Sequence, residues 1–458
     1  MKVENRIGQD FSTFGLFKFA LPAFFTNVFS QIFKTLDDAL FISRFVGEKA
    51  LAGLNLLSPL NSVQFAFSNL CALGAGTISA QFMGEGKQKE AKQVFSKIIV
   101  GTIIMGAIFS LLINIFTNPI LAFLGADEEL YNYAIWQIRL VFSITPLTFL
   151  NAVFSLYYST AGKPKVGMIC SVVNGVLNIG LDLVLITILK MGVLGAAIAT
   201  ATGEIVTFFI GLFFFTNKNN EIYFVKPEKE IIHTCLRCFK FAIPQCVNSL
   251  SFGVTNYITN IQLLRIVGSN GVAANAIIND IRSILATGLV GMAASLGPVV
   301  AYKFGEKNVD KLRKTLFSIV KIWAISSISL ITIGFILRTP LINVFMSDNS
   351  SQEFYDMSLF GTTIEIFAIP FLSGCFTSSR MFIALNNAKT ATLISIFRNL
   401  IFRSASLIIL PNLFGVNGVW FAIPFGEFIA FNFVCVLIYL NRNNYGYGKN
   451  KVALMMNN

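Results

Sequence analysis

The sequence predicts an all-α integral membrane protein of about twelve transmembrane helices, in two six-helix lobes related by a parallel internal repeat. Three observations carry this prediction. The 458 residues are 55% hydrophobic and 13% charged, with mean hydropathy +0.69, too apolar to keep a soluble surface wet. Apolar runs of about twenty residues or more recur almost end to end, each long enough to cross a hydrocarbon core about 30 Å thick. The second half then repeats the first in order.

Taken along the chain, the spans fall near 14–45, 51–83, 94–122, 131–160, 166–189 and 192–216, and then near 235–264, 271–304, 315–345, 355–385, 390–411 and 415–441. The first run follows a mixed-charge tail (Lys2, Glu4, Arg6, Asp10) and continues past Pro22. It lacks the short core and small-residue cleavage site of a signal peptide, so it is expected to be retained. Residues 217–234, rich in Asn, Lys and Glu, form the one obvious linker. The organisation expected is therefore a first lobe over 1–216, a cytoplasmic linker over 217–234, a second lobe over 235–441 and a cytoplasmic tail over 442–458.

The formal charge of +12 suggests nucleic acid until its placement is considered. The positives occupy alternate connections: Lys87, Lys89, Lys92 and Lys97; Lys163 and Lys165; Lys218, Lys226, Lys229 and Arg237; Lys303 to Lys314; Arg442 onward. The intervening loops are poor in Lys and Arg or acidic, as at Asp127, Glu128 and Glu129. Excess Lys and Arg marks cytoplasmic loops, so both termini are expected inside a cell (inner) membrane, which requires an even number of spans. The partners implied are the bilayer and a small-molecule substrate, with no nucleic acid and no obligatory protein partner.

The repeat is read directly. Phe17–Pro22 (FKFALP) returns as Phe239–Pro244 (FKFAIP), Arg44–Gly47 as Arg265–Gly268, Gly84-Glu85 as Gly305-Glu306, Pro146 as Pro370, and Gly192–Glu204 as Gly415–Glu427. Six spans per unit place both units in the same orientation, related by an axis along the membrane normal. Parallel repeats of this kind typify transporters, in which one lobe rocks against the other.

Charges inside the spans sharpen the reading, because an intramembrane charge costs several kcal/mol unless paired or hydrated. In the fifth span Asn174, Asn178 and Asp182 recur every four residues, one helix face. Asp38, Asp182 and Thr200 each lie roughly 9–15 Å below the same membrane surface, counted at the helical rise, so they can meet inside the first lobe. Two carboxylates, a carboxamide and a hydroxyl form an oxygen set suited to a hard cation, and two close acids also hold a proton. The expected cation-coupling residues are Asp38, Asn178, Asp182 and Thr200, with Na+ or H+ as the coupling ion and no other cofactor or metal. Asn174, Asp37 and Glu365 are secondary candidates. A structural clamp between helices and an ion pair of Lys34 with Asp38 are the competing readings. In the repeat register Asp38 falls against Thr259, Asp182 near Ser406 and Thr200 against Ile423, so the second lobe has lost the acids. It holds instead Asp280, Arg282, Glu365, Arg398 and Arg403, while Glu204 and Glu427 match each other, which favours a shared structural role.

Pro22 and Pro244 interrupt the first span of each lobe, and a mid-helix proline removes a backbone bond and favours a kink; Pro22 is the candidate hinge. The 47 Phe residues mostly face lipid or fill helix contacts. Cys235 and Cys238 form a CxxC beside His233, the only histidine, but a zinc site needs about four ligands. With no nucleophile and base together inside the spans, the chain is not expected to be an enzyme.

These residues resemble the multidrug and toxin-compound extrusion family over nearly the whole chain. The segments carrying the likeness are Asp38–Ala52 (DALFISRFVGEKALA), Gly74–Gln81 (GAGTISAQ) with Gly84 after it, Ala161–Pro164 (AGKP), and Asn178 with Asp182. The resemblance implies a twelve-helix, two-lobe antiporter exporting drugs or metabolites in exchange for sodium or protons. In one prokaryotic branch the ion site is in the first lobe, and Asp38, Asn178, Asp182 and Thr200 match it; Pro22 matches a proline linked to bending of the first helix. Ser43 replaces an expected glycine, and Lys34 adds a cation. The seventh span has no acid, against the branch with its site in the second lobe. The alternative is a lipid-linked oligosaccharide flippase of the same superfamily, with arginines for phosphates.

Overall fold

The computed structural model describes residues 6–36, 42, 45–346, 351–442 and 444–445. The first half contains α1 (Thr13–Leu36), α2 (Glu48–Leu56), α3 (Ser58–Gly84), α4 (Gln88–Ile115), α5 (Thr117–Phe123), α6 (Glu128–Gln137), α7 (Thr145–Thr160), α8 (Pro164–Asp182) and α9 (Gly192–Thr216). The second contains α10 (Ile231–Ile266), α11 (Ser269–Gly305), α12 (Val309–Phe345), α13 (Gln352–Ala384), α14 (Ala388–Ile396) and α15 (Arg403–Leu440). Wide-turn π segments extend α6 (Ile138–Phe142), α8 (Leu183–Ile188) and α14 (Phe397–Phe402). The fold is an all-α membrane protein, as the only backbone that satisfies itself in hydrocarbon without closing a barrel is a helix.

Eight of the described helices are long and apolar enough to span on their own, and α6 with α7 forms a ninth, bent by 57°. The stretch Ala388–Leu440 holds two spans, because Gly415 (φ 57, ψ −136) breaks α15. With α3 and α10, more polar than the rest, the described residues make twelve spans. Large apolar side chains cover the outside, among them Phe123, Phe213, Ile336 and Val344.

Backbone turns repeat as the sequence does. Gly47 and Gly268 both take positive φ (118 and 86), as do Gly86 and Lys307 (77 and 56), Gly162 and Asn386 (71 and 64), and Gly192 and Gly415 (59 and 57). Asp127 caps α6 by accepting from the Leu130 amide, and Ser351 caps α13 by accepting from the Phe354 amide. Each lobe therefore reaches the same turns and caps from different side chains, which is the signature of a duplicated unit.

By internal contact the chain divides into two units, one of residues 1–9 and Phe25–Ala242, the other of Asp10–Phe24 and Ile243–Asn458. The linker and the first turns of α10 thus group with the first half. The reason lies in how 217–230 is tied down. Gln88 donates to the Glu221 carbonyl (3.0 Å), Gln93 donates to the Lys226 carbonyl (3.0 Å) and accepts from the Glu228 amide (2.9 Å), and Ser96 Oγ accepts from the Val225 amide (2.9 Å). Phe224 packs on Phe95 (centroids 5.2 Å apart), which also meets Tyr157 and Phe215. Both helices that pass from one unit to the other do so beside proline: Pro22 precedes the change at Phe24, and Pro244 follows the change at Ala242.

Within the second unit, Lys303 is buried and reaches Asp10 (3.1 Å) and Glu306 (3.3 Å). Its hydrogen bond holds the Asp10 carboxyl below the usual carboxylate range, with Lys311 adding to the effect. Within the first, α3 approaches α10 so closely at Gly74 that a methyl group there would overlap the Cys238 backbone carbonyl. Gly74→Ala is expected to cost about 3 kcal/mol, the upper end for overpacking, since main chain cannot rotate away as a side chain can. Thermal melting of the purified protein in detergent measures this; a wild-type melting point would show that the helices separate freely.

Candidate functional site

The fifth and sixth spans of the first unit build a polar ladder. α8 begins at Pro164, whose fixed φ suits a first helical position, and runs antiparallel to α9. Its stripe of Asn174, Asn178 and Asp182 lies along the face toward Thr200 and Glu204. Asn178 Nδ2 donates to Thr200 Oγ1 at 3.4 Å. One turn away, Asn174 lies against α9 beside Glu204, an approach allowed because Gly203 presents no side chain: a Cβ there would strike Asn174 Oδ1. Asn151, from α7, completes this rung by donating to Glu204 Oε2 (2.7 Å) and Thr207 Oγ1 (3.0 Å).

Asp182 sits at the other end of the ladder, with no exposed surface. It is the last residue of α8 before the wide turn at Leu183–Ile188, and such π segments recur at functional sites because they re-aim the side chains around them. In the same lobe Ile42, Ala50, Ile186, Val193 and Ala196 pack together in an apolar cluster with Ile179 at its edge. Of the four residues expected from the sequence, three share this helix pair. Asp38 and Asp37 lie outside the described residues, as does the Lys34 side chain. Pro22 lies within α1, which continues through it as helix.

Glu365, a secondary candidate, lies on α13 in the second unit and holds both carboxylate oxygens 3.3 Å from Arg282 Nη1. Arg398 donates to both oxygens of Glu427, at 2.7 and 3.0 Å, and Arg403 lies 3.8 Å from the same carboxylate. All five side chains are buried. Buried acids in this unit thus carry resident guanidinium partners, which single-span reading could not show, since the members come from α11, α13, the π segment after α14 and both arms of α15.

One residue the sequence reading passed over is Asn151. A signal for it existed. A shift of 224 residues carries Gly162 to Asn386 and Pro164 to Ala388, and the same shift sets Asn151 against Cys375 and Asn174 against Arg398. The Glu204 and Glu427 positions therefore share a place in the repeat but differ in every polar partner.

A duplicated six-helix unit with a buried polar ladder in one lobe defines a polytopic membrane transporter, not an enzyme. The family model described as MatE matches residues 22–184 and 244–405, and the chain belongs to that family. Among similar proteins are the multidrug export protein MepA of Staphylococcus saprophyticus, 25% identical over 94% of both chains, and MepA of Staphylococcus aureus (strain bovine RF122 / ET3-1), 25% identical over 93% of both. Solved structures share the fold. An outward-facing multidrug resistance MATE family transporter of the MOP superfamily superposes with TM-score 0.88 at 20% identity, covering 96% of this chain and 98% of its own. A MOP superfamily transporter from Pyrococcus furiosus, described by the reverse polarity of its binding pocket, gives 0.88 at 20% identity, covering 97% and 99%.

Proposed function

We propose that this protein is a secondary active antiporter that exports small organic compounds, cationic or amphipathic in character, in exchange for Na+ or H+ by alternating access. The observation that carries the reading is Asp182, a carboxylate sealed from solvent one turn from the Asn178–Thr200 pair. An acid inside a span is by default a functional group, and a carboxylate there can take up a cation or a proton that later leaves. Similarity to proteins named for multidrug export gives the cargo class. The membrane is the cell membrane, and the alternation of basic loops supports a cytoplasmic location for both termini.

The rival reading, a flippase for lipid-linked oligosaccharides, relies on free arginines for phosphate, and Arg282 and Arg398 already hold carboxylates. The deciding measurement is dye or drug efflux from proteoliposomes with sodium and pH gradients imposed independently. Efflux is expected to follow one of them. Efflux indifferent to both would overturn ion-coupled export.

A further inference from the structure

The two lobes pose one question twice and answer it differently. Glu427 has no exposed surface and is neutralised by Arg398 from the preceding span. Its repeat partner Glu204 stands at the same position of the sixth span of the first lobe, yet its fifth-span partner is Asn174 where the second lobe has Arg398, and its fourth-span partner is Asn151 where the second lobe has Cys375. Carboxamides orient a carboxylate but bring no charge. A carboxylate within a span and left with neutral partners is costly.

Among the described residues the groups facing Glu204 are neutral; α1 packs on α8 at Gly175, and the side chain of its Lys34 lies outside the described residues. On α8 the group facing Glu204 is Asn174; on α7 it is Asn151; on α9 itself it is Thr207. The π segment beside α9 carries Arg139, which is exposed and outside ion-pair distance of Glu204. α6 meets the beginning of α9, where Tyr133 packs on Val193 and Ala196, about three turns away. Glu204 is half-buried within the first unit, whereas Glu427 has no exposed surface.

We infer that Glu204, held by Asn151 and flanked by Asn174, is a second station for a mobile monovalent cation, a proton or Na+, in the place that the second lobe fills permanently with Arg398. The site lies one rung along the ladder from Asn178 and Thr200. It does not require the Asp38–Asp182 site to act as proposed above, although together they would give the lobe two cation stations in series.

The experiment is thermal unfolding of the full-length protein in detergent, in NaCl against choline chloride, at pH 6 and pH 8. A ligand that binds only the folded form raises the melting point in proportion to the logarithm of its concentration. Wild type is expected to be stabilised by Na+ at pH 8 if the station takes sodium, or by the lower pH irrespective of salt if it takes a proton. Glu204→Gln keeps the shape and the hydrogen bonds to Asn151 and removes the charge, and is expected to lose at least half of that shift. Asp182→Asn should lose a separate part, and the double variant all of it. If Glu204→Gln does not accumulate folded, Asn174→Arg copies the second lobe and should abolish the same share of the response. A wild-type response in either folded variant, or no response in wild type, overturns the inference. Loss in Asp182→Asn with none in Glu204→Gln leaves ion-coupled export standing and removes this station; the reverse pattern removes Asp182 from the coupling site and leaves Glu204.

Discussion

Asp182→Asn is expected to abolish gradient-driven efflux while the protein remains folded and inserted. Asparagine matches the volume of the fully buried Asp182 and keeps a hydrogen-bonding end, so the packing of the lobe is preserved. What disappears is the negative charge that would hold the ion. A charge-assisted contact is worth about 1.5–3 kcal/mol, so transport should fall roughly 10- to 150-fold. Asp38→Asn is expected to behave alike. Efflux from proteoliposomes under separate sodium and pH gradients measures both, with detergent melting as the control for folding. If Asp182 were only a helix clamp, the asparagine variant would transport normally, and normal efflux in both variants would end the proposed coupling site.

The largest effect on stability is expected at Glu427. Removing its charge by Glu427→Gln leaves Arg398 and Arg403 facing each other without an acid, and a stranded buried charge costs about 3–5 kcal/mol. Arg398→Gln should cost less, because Arg403 remains 3.8 Å from the carboxylate and can close on it. Replacing both partners by apolar residues of similar size, Arg398→Met with Glu427→Leu, should recover much of the loss, since a well-packed apolar pair avoids desolvating two charges. Melting points of the three variants in detergent are the measurement. A Glu427→Gln protein as stable as wild type would mean that water reaches this pair and screens it.

Much of the architecture was legible without coordinates. Apolar runs give spans because helical rise and bilayer thickness are fixed lengths, and the matched segments FKFALP and FKFAIP announce the repeat that the left-handed turns at Gly47, Gly268, Gly192 and Gly415 then share. The stripe of Asn174, Asn178 and Asp182 was also legible, because four-residue spacing is a property of one helix. The linker was not. Gln88, Gln93 and Ser96 bind 217–230 through main-chain groups, which side-chain patterns do not encode. Nor was the change of unit within α1 and α10, where packing beyond Pro22 and before Pro244 decides which half each segment joins.

By itself, then, the sequence determined the span pattern, the duplication and the presence of acids inside the first lobe, all of which follow from periodicities along a single chain. Only the tertiary structure decided which of the buried acids has a resident cation. Glu365 and Glu427 meet guanidinium groups from other helices, whereas Glu204, the counterpart of Glu427 in the first lobe, meets Asn151 and lies beside Asn174 among the described residues. Counter-charge is a matter of a few ångströms between helices far apart in the chain, and electrostatic cost in a dry interior turns on that distance alone.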